Sequence, residues 1–461
     1  MELRIKQKNS INLENIKSIL LVSVSFMVIL FSVTKFSLYS ALGMGVFLFF
    51  ALKFYSDLGK TIEIRDLIIS IALLQWVVGP VLKYNYSSDN LFYYMAVSEK
   101  EYMNLAFPAA IFFIIGLYFP LFYKKIDSQQ QLHRISRILK NYPNIDLILI
   151  TVGIAANISE DFLPLSLRFF AYLLGGSRFI GLFFLVLNKR KFKWYIFGFV
   201  LLLLLASTIK DAIFHELILW LVFLFIIIAF LYQFKDKQKL IFIIPIIIFT
   251  ILIQTVKFYF RQETSELTNT FDKTELFSEM IQEELINQDR LFSEVNINAA
   301  IDRINQGWIV ARIMRYTPAF EPFAGGETIL TGIRASLLPR FLDPDKPKAG
   351  GRENFTRFTG KLISDNTSMG LSPLGEAYAN FGINGGILFM FLLGLFYNFY
   401  LFIILRLSDK YPSLVLWIPL LFLQVVKAET DFVVVLNHLV KASIVVAMLI
   451  GGFRKFLGMR I

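Results

Sequence analysis

The chain contains no cysteine, which removes disulfides, thiolate metal sites and cysteine nucleophiles from consideration. Histidine is nearly absent as well: only His133, His215 and His438 occur, and none stands in an HExxH-type spacing. With no Asp-rich cluster either, no metal site is expected. Neither a P-loop nor a GxGxxG fingerprint is present, so no nucleotide or other cofactor is expected. No internal repeat is visible, which gives no support to an inverted-repeat transporter. Acidic residues are the minority charge, 35 against 46 basic ones, for a net charge of +11. Such an excess is one mark of nucleic-acid binding. Here, however, the basic runs Lys189-Arg190-Lys191-Phe192-Lys193, Lys235-Asp236-Lys237-Gln238-Lys239 and Arg454-Lys455 sit at the ends of apolar stretches. That is the pattern of cytoplasmic loops beside membrane spans, and nucleic acid is not an expected partner.

Apolar sequence is what the chain has in abundance. Hydrophobic residues make up 56%, aromatics 16%, and the mean hydropathy is +0.61. These values predict an all-α polytopic membrane protein. Counting stretches of roughly 20 residues, the length that crosses a bilayer as a helix, gives about 12 spans. They fall near 17–34, 36–55, 64–83, 104–123, 144–159, 166–187, 194–208, 212–233, 240–258, 382–405, 411–427 and 432–452. Met1 to Thr34 reads as a retained first span, since basic residues precede an apolar run without a small-residue cleavage site. The charge bias places both termini and the loops at 56–63, 124–143, 188–193, 234–239 and 406–410 inside, with 84–103, 160–165, 209–211, 261–380 and 428–431 outside. Three parts follow: an N-terminal bundle over 1–260, a large extracytoplasmic loop over 261–380 and C-terminal helices over 381–461.

The loop has two halves of opposite sign. Residues 261–302 are acidic and helix-prone, with Glu275, Glu279 and Glu283 spaced among Leu, Phe and Ile, as in an amphipathic helix with a solvated acidic face. Residues 303–380 carry Arg303, Arg312, Arg315, Arg334, Arg340, Arg352 and Arg357, with fewer lysines. Arginine suits phosphate or carboxylate, which its planar guanidinium binds in bidentate fashion. Frequent Gly, Pro, aromatic and aliphatic residues predict an ordered, turn-rich segment.

Within this half, Leu338-Pro339-Arg340-Phe341-Leu342-Asp343-Pro344-Asp345-Lys346-Pro347 is followed by Gly351-Arg352, Asn354-Phe355-Thr356 and Gly375-Glu376-Ala377-Tyr378-Ala379-Asn380-Phe381-Gly382. This order resembles the bacterial O-antigen and capsule polymerases, the Wzy-like oligosaccharide repeat-unit polymerases. The motifs lie within about 338–382, while the multi-span topology extends over most of the chain. The resemblance implies a multi-pass enzyme of the bacterial inner membrane with a periplasmic loop. It would be a glycosyltransferase acting on undecaprenyl-pyrophosphate-linked oligosaccharide, with membrane lipids, a chain-length regulator and a flippase as partners. It would move the growing chain onto the non-reducing end of a new repeat. Direct displacement assisted by one carboxylate inverts the anomeric centre; cations near the membrane surface would balance the leaving pyrophosphate without metal.

Candidate catalytic residues are then Glu376, as a base at the mouth of the tenth span, with Arg340 and Arg352 on pyrophosphate. Each has a structural alternative: Glu376 as a first-turn acid favoured by the helix dipole, the two arginines as partners of Asp343, Asp345 or Glu353. Tyr378 and Asn380 either hold sugar hydroxyls or anchor the helix at the interface. Arg178 lies inside a predicted span, where a charge is a functional candidate. Lys210 and His215 stand at an outer turn, Arg315 on an apolar stretch suited to the interface, and Arg357 follows the motif block; these complete the substrate-binding candidates. An O-antigen ligase moving the chain to lipid A core, a flippase for the same lipid-linked sugar and an envelope scaffold remain alternatives.

Overall fold

A computed structural model describes residues 13–86, 92–124, 128–211, 214–263, 270–286, 293–338, 351–364 and 367–459. Among the described residues the regular structure is helical, and the only β pairing is an isolated bridge between Leu58 and Thr61. In chain order the first helices are α1 (Leu13–Val33), α2 (Leu38–Asp57), α3 (Ile64–Leu73), α4 (Gly79–Asn85) and α5 (Glu99–Leu117). Next come α6 (Ser128–Asn141), α7 (Ile145–Ser159), α8 (Leu165–Gly175), α9 (Ser177–Leu187), α10 (Lys193–Asp211), α11 (Phe214–Tyr232), α12 (Asp236–Glu263), α13 (Thr270–Ile286) and α14 (Glu294–Ile304). The chain finishes with α15 (Gly307–Tyr316), α16 (Glu327–Leu337), α17 (Arg352–Thr359), α18 (Ser372–Leu407), α19 (Leu414–Phe422) and α20 (Phe432–Phe456).

Nine helical stretches among the described residues are long and apolar enough to cross a membrane. Three of the predicted spans are helical but fall outside that set. At about 1.5 Å per residue, the 15-residue α7 and the nine-residue α19 are both shorter than the roughly 30 Å hydrocarbon layer. The third is α12, which has the length, at 28 residues. The predicted span over 166–187 is helical on both sides of Gly176, where α8 gives way to α9.

Two compact units make up the chain. The first takes residues 1–56, 63–129 and 304–461; the second takes 57–62 and 130–303. The polar segment 261–380 is thus divided between them.

In the first unit α5 lies along α18. Their closest approach is made by two glycines: a Cβ on Gly116 would stand 2.3 Å from the Phe391 carbonyl oxygen, and one on Gly394 would stand 2.3 Å from that of Phe113. Such small residues let helix backbones pack without intervening side chains. At one end of this pair, buried Asp66 accepts from the Tyr118 hydroxyl and from Lys53 Nζ at 2.6 Å. Beside it, Arg65 donates to Asn398 Oδ1 at 3.2 and 2.9 Å, and Asn398 Nδ2 donates to the Phe119 carbonyl at 2.9 Å. Charges at such depth persist when each has a partner.

Between α3 and α4 the backbone widens into a π-helical stretch, Leu74–Val78. That wider turn frees carbonyls from the α ladder. The Trp76 carbonyl accepts the Tyr102 hydroxyl at 2.7 Å, and the Gln75 carbonyl accepts the Gln306 N–H at 3.1 Å. Gly307 follows against Pro80 and Tyr102, where a Cβ would come within 2.3 Å of the proline ring. The start of α15 is therefore docked on the π stretch, which fixes the helix that carries Trp308 and Arg312.

In the second unit Asp146, fully buried in the first turn of α7, is held by Arg190 at 2.8 and 3.1 Å and by Asn188 at 2.9 Å. Lys193 donates to the Val186 carbonyl at 2.9 Å, near the C-terminal end of α9, where a cation is favoured. Phe214, Phe260 and Phe277 cluster with ring centroids 5.3–5.8 Å apart and join α11, α12 and α13. Phe277 is buried while Glu275, Glu279 and Glu283 are exposed, as an amphipathic helix requires.

Candidate functional site

The segment around Glu376 is built by a break in α18. Gly382, at φ +65° and ψ −160°, interrupts the helix and separates a short piece, 372–381, from the long apolar one. Only glycine takes that conformation without strain. The break would leave the last carbonyls of the short piece without partners. A turn at 324–326 supplies them: Ala324 N–H donates to the Ala379 carbonyl at 3.0 Å and Gly325 N–H to that of Asn380 at 3.0 Å. Gly326 N–H donates to Asn380 Oδ1 at 3.1 Å.

Glu376 and Asn380 then close a buried network. The Thr328 hydroxyl donates to Glu376 Oε1 at 2.7 Å, while Asn380 Nδ2 donates to Thr328 Oγ1 at 2.7 Å and to the Glu376 carbonyl at 2.8 Å. Glu376 Oε2 accepts the Phe432 N–H at 2.8 Å, so this carboxylate serves the N-terminus of α20, a favourable place for negative charge. Asp431, which precedes α20, accepts the Leu371 N–H at 2.5 Å. Burial first, and then the charge of Glu376, push the Asp431 acid up from its ordinary range. Neither carboxylate makes an ion pair among the described residues. Glu376 is 1% exposed, and both its oxygens are engaged. Tyr378 is nearly buried and donates to the Thr317 carbonyl at 3.3 Å. The arrangement fixes the short helix against α16 and α20.

A second cluster, in the same unit, is open and cationic. Trp308, Arg312 and Arg315 recur at helical spacing along one side of α15, and aromatic residues 92–94 lie against it. The Phe92 and Tyr93 rings sit 5.4 and 5.3 Å from Trp308, and Phe355 sits 6.1 Å from it. Arg312 Nη1 donates to the Tyr94 hydroxyl at 3.1 Å, with its guanidinium 5.5 Å from that ring. Lys361 Nζ stands 3.1 Å from the Phe92 centroid and 5.6 Å from Trp308. Gly360, at φ +64°, turns the chain after α17 to bring Lys361 there. Burial, and then the nearby charge of Arg312, lower the Lys361 pKa. Neither Arg312 nor Lys361 makes an ion pair among the described residues. Two cations held by aromatic rings and one tyrosine hydroxyl suit an anion carrying a sugar: the cations meet the charge and an exposed ring meets an apolar sugar face.

The other candidates fall in different places. Arg340 lies outside the described residues. Arg352 is exposed in the first turn of α17, next to Gly351, where a Cβ would come within 2.4 Å of Asp431 Oδ2. Arg357 is tied inside the polar segment: it donates to Glu321 at 2.6 Å and as a fork to both oxygens of Glu327 at 3.0 and 3.1 Å. Those bonds, Glu327 first, raise its pKa, and Arg357 lowers that of Glu327. Arg315 is exposed one turn beyond Arg312. Lys210, His215 and Arg178 belong to the second unit. Lys210 pairs with Asp161 at 3.1 Å, both exposed, and His215 stands in the first turn of α11.

The sequence reading did not single out Phe92, Tyr94, Lys361 or Asp431 as site residues. The run Phe92-Tyr93-Tyr94 in a predicted outer loop was the available signal, since three consecutive aromatics beside polar sequence mark an interface or a binding surface.

Fold and site together define a class: an all-helical protein with apolar helices long enough for a membrane and a polar, arginine-rich segment packed beside them. Within that class the chain belongs to the family of a domain of unknown function, DUF8712, whose model matches residues 84–401. The match takes in Phe92, Arg312, Lys361 and Glu376. No curated protein and no solved structure matches the chain.

Proposed function

We infer that the protein is a membrane glycosyltransferase that polymerises oligosaccharide repeat units carried on undecaprenyl pyrophosphate. It sits in the bacterial inner membrane with about 12 crossings, both termini cytoplasmic and residues 261–380 on the periplasmic side. The observation that carries this reading is the pair Arg312 and Lys361, which lies on aromatic rings without an acidic partner. A pyrophosphate supplies the missing negative charge, and the adjoining Phe92, exposed and backed by buried Trp308, offers a ring to the first sugar. Arg315, one turn on, extends the cationic surface, with Arg340 and Arg352 in the motif block.

In the reaction, a hydroxyl oxygen at the non-reducing end of one repeat attacks the anomeric carbon of the other chain. The bond from that carbon to the undecaprenyl pyrophosphate breaks, and the pyrophosphate leaves with the electron pair. The hydroxyl proton passes to a carboxylate or to water. Arginine and lysine stabilise the developing charge on the leaving group, the electrostatic part of such catalysis. Attack opposite the leaving group inverts the centre. Glu376 supports this site from a buried position, by holding α16, the short helix before Gly382 and the start of α20 together.

The test is turnover by full-length protein in nanodiscs given a synthetic undecaprenyl-pyrophosphate repeat unit. A ladder of longer lipid-linked glycans, lost in Lys361→Met and Arg312→Met, is expected. Binding without elongation would move the assignment to a ligase, read out with lipid A core as acceptor, or to a flippase. No binding at all would remove the lipid-linked sugar from the account.

A further inference from the structure

Helix α16, in the arginine-rich half of the polar segment, carries its bulky side chains outward. Three stripes run along it at helical spacing. Thr328, Gly332, Ala335 and Ser336 are buried. A Cβ on Gly332 would stand 3.3–3.4 Å from Phe432 and Val433, at the start of α20. Leu330, Ile333 and Leu337 lie on another side and are 69%, 38% and 64% exposed. Glu327, Thr331 and Arg334 form a third stripe, exposed and polar. A helix on a water-facing surface turns its large apolar residues inward. Here small residues face the protein and large aliphatic ones face out, which is the arrangement of a helix packed in lipid.

The neighbours of α16 say what covers the outward stripe. Both α18 and α20 are long and apolar enough to cross a membrane. They expose Phe381, Ile383 and Leu388 on α18 and Ile444 and Met448 on α20. Phe381 reaches back to α16: a Cβ on Gly326, the residue before the helix, would stand 3.5 Å from its ring. The stripe thus starts beside the open apolar surface of candidate spans. At about 1.5 Å per residue, the 11 residues of α16 are too few to cross a bilayer themselves. We propose that α16 lies flat in the membrane surface, with Leu330, Ile333 and Leu337 seated among lipid acyl chains. The polar stripe then faces headgroups and water. There Glu327 is held by the Arg357 fork at 3.0 and 3.1 Å, and the long stem of Arg334 carries its charge outward. On the protein side, the buried Thr328 and Ser336 hydroxyls donate to Glu376 and to the Gly332 carbonyl. The inference rests on the apolar helices alone and is independent of the glycosyltransferase reading.

Because the chain contains no cysteine, single-cysteine variants of the full-length protein can be spin-labelled without background. The variants are Leu330→Cys, Ile333→Cys and Leu337→Cys, with Met448→Cys on α20 as the lipid reference. Glu353→Cys, exposed in the first turn of α17, is the water reference. In nanodiscs, relaxation by oxygen, which concentrates in hydrocarbon, is compared with relaxation by a water-soluble nickel chelate. Labels at 330, 333 and 337 are expected to match 448, with an oxygen-to-nickel ratio several-fold above that at 353. A ratio equal to that at 353 would place the stripe in water and overturn the proposal. Shielding from both reagents would overturn it as well, by showing that protein, such as a second copy of the chain, covers the stripe. Water-side behaviour at 448 would do the same by removing α20 from the membrane. As a second measurement, Leu330→Gln/Leu337→Gln is expected to lower the unfolding temperature in nanodiscs by several degrees. On a water-facing helix the same exchange is nearly neutral, so an unchanged unfolding temperature would also contradict the proposal.

Discussion

Glu376 shows how burial separates a structural acid from a reactive one. Its two oxygens accept the Thr328 hydroxyl and the Phe432 N–H, so its removal leaves two buried donors unmatched. Glu376→Ala should therefore destabilise the protein by about 1–3 kcal/mol, whereas Glu376→Gln, which keeps an oxygen for one donor, should cost less. Thermal unfolding of the two variants checks this, and equal effects would contradict the hydrogen-bond account. Lys361 behaves in the opposite way, because it is a cation kept close to another. Its lowered pKa, from burial and then from Arg312, means that its charge is lost at a pH below the ordinary lysine range. Affinity for pyrophosphate should weaken as pH rises through that point. In Arg312→Met the midpoint should move upward, as measured by titration calorimetry across pH; an unmoved midpoint would separate the two residues.

At the scale of elements, helix existence was legible and helix pairing was not. Apolar runs of about 20 residues gave nearly every long helix, and Gly382, at the predicted start of the tenth span, is where α18 breaks. Two of the predicted spans, α7 and α19, are shorter helices than the apolar runs that contain them, because hydropathy reports apolarity without reporting where a turn ends a helix. Nor does a one-dimensional pattern place Phe92 beside Lys361: their meeting depends on α15 being docked on the π stretch through Gln306 and Gly307. The buried network of Glu376, Thr328 and Asn380 was hidden for the same reason, since Thr328 reaches it only through the 324–326 turn. The helix pairing itself is testable. Gly116→Ala and Gly394→Ala each place a methyl within about 2.3 Å of a facing carbonyl oxygen. Each should cost about 1–3 kcal/mol through forced separation of α5 and α18. Losses well below that would show that the two helices are not so closely apposed.

Over the whole molecule, charge carried more information than any single residue. The sign of the polar segment changes at 302–303, and the boundary between the two compact units falls between Arg303 and Ile304. The acidic half folds with the second unit and the arginine-rich half with the first, so the segment read from sequence as one loop serves two bodies. The arginines also divide: Arg357 is consumed by Glu321 and Glu327, while Arg312 lies on Tyr94 and makes no ion pair among the described residues. That division rests on geometry, since all the arginines look alike in sequence. The central claim is that Arg312 and Lys361 receive a pyrophosphate. Its most direct measurement is the affinity of full-length protein in nanodiscs for undecaprenyl pyrophosphate, compared with the Arg312→Met/Lys361→Met variant. Charge-assisted bonds contribute about 1.5–3 kcal/mol each, so loss of even one should weaken binding by roughly 10- to 100-fold. Arg357→Met, which removes a cation already paired, should change it little. Equal affinity in the double variant and the parent would contradict the account.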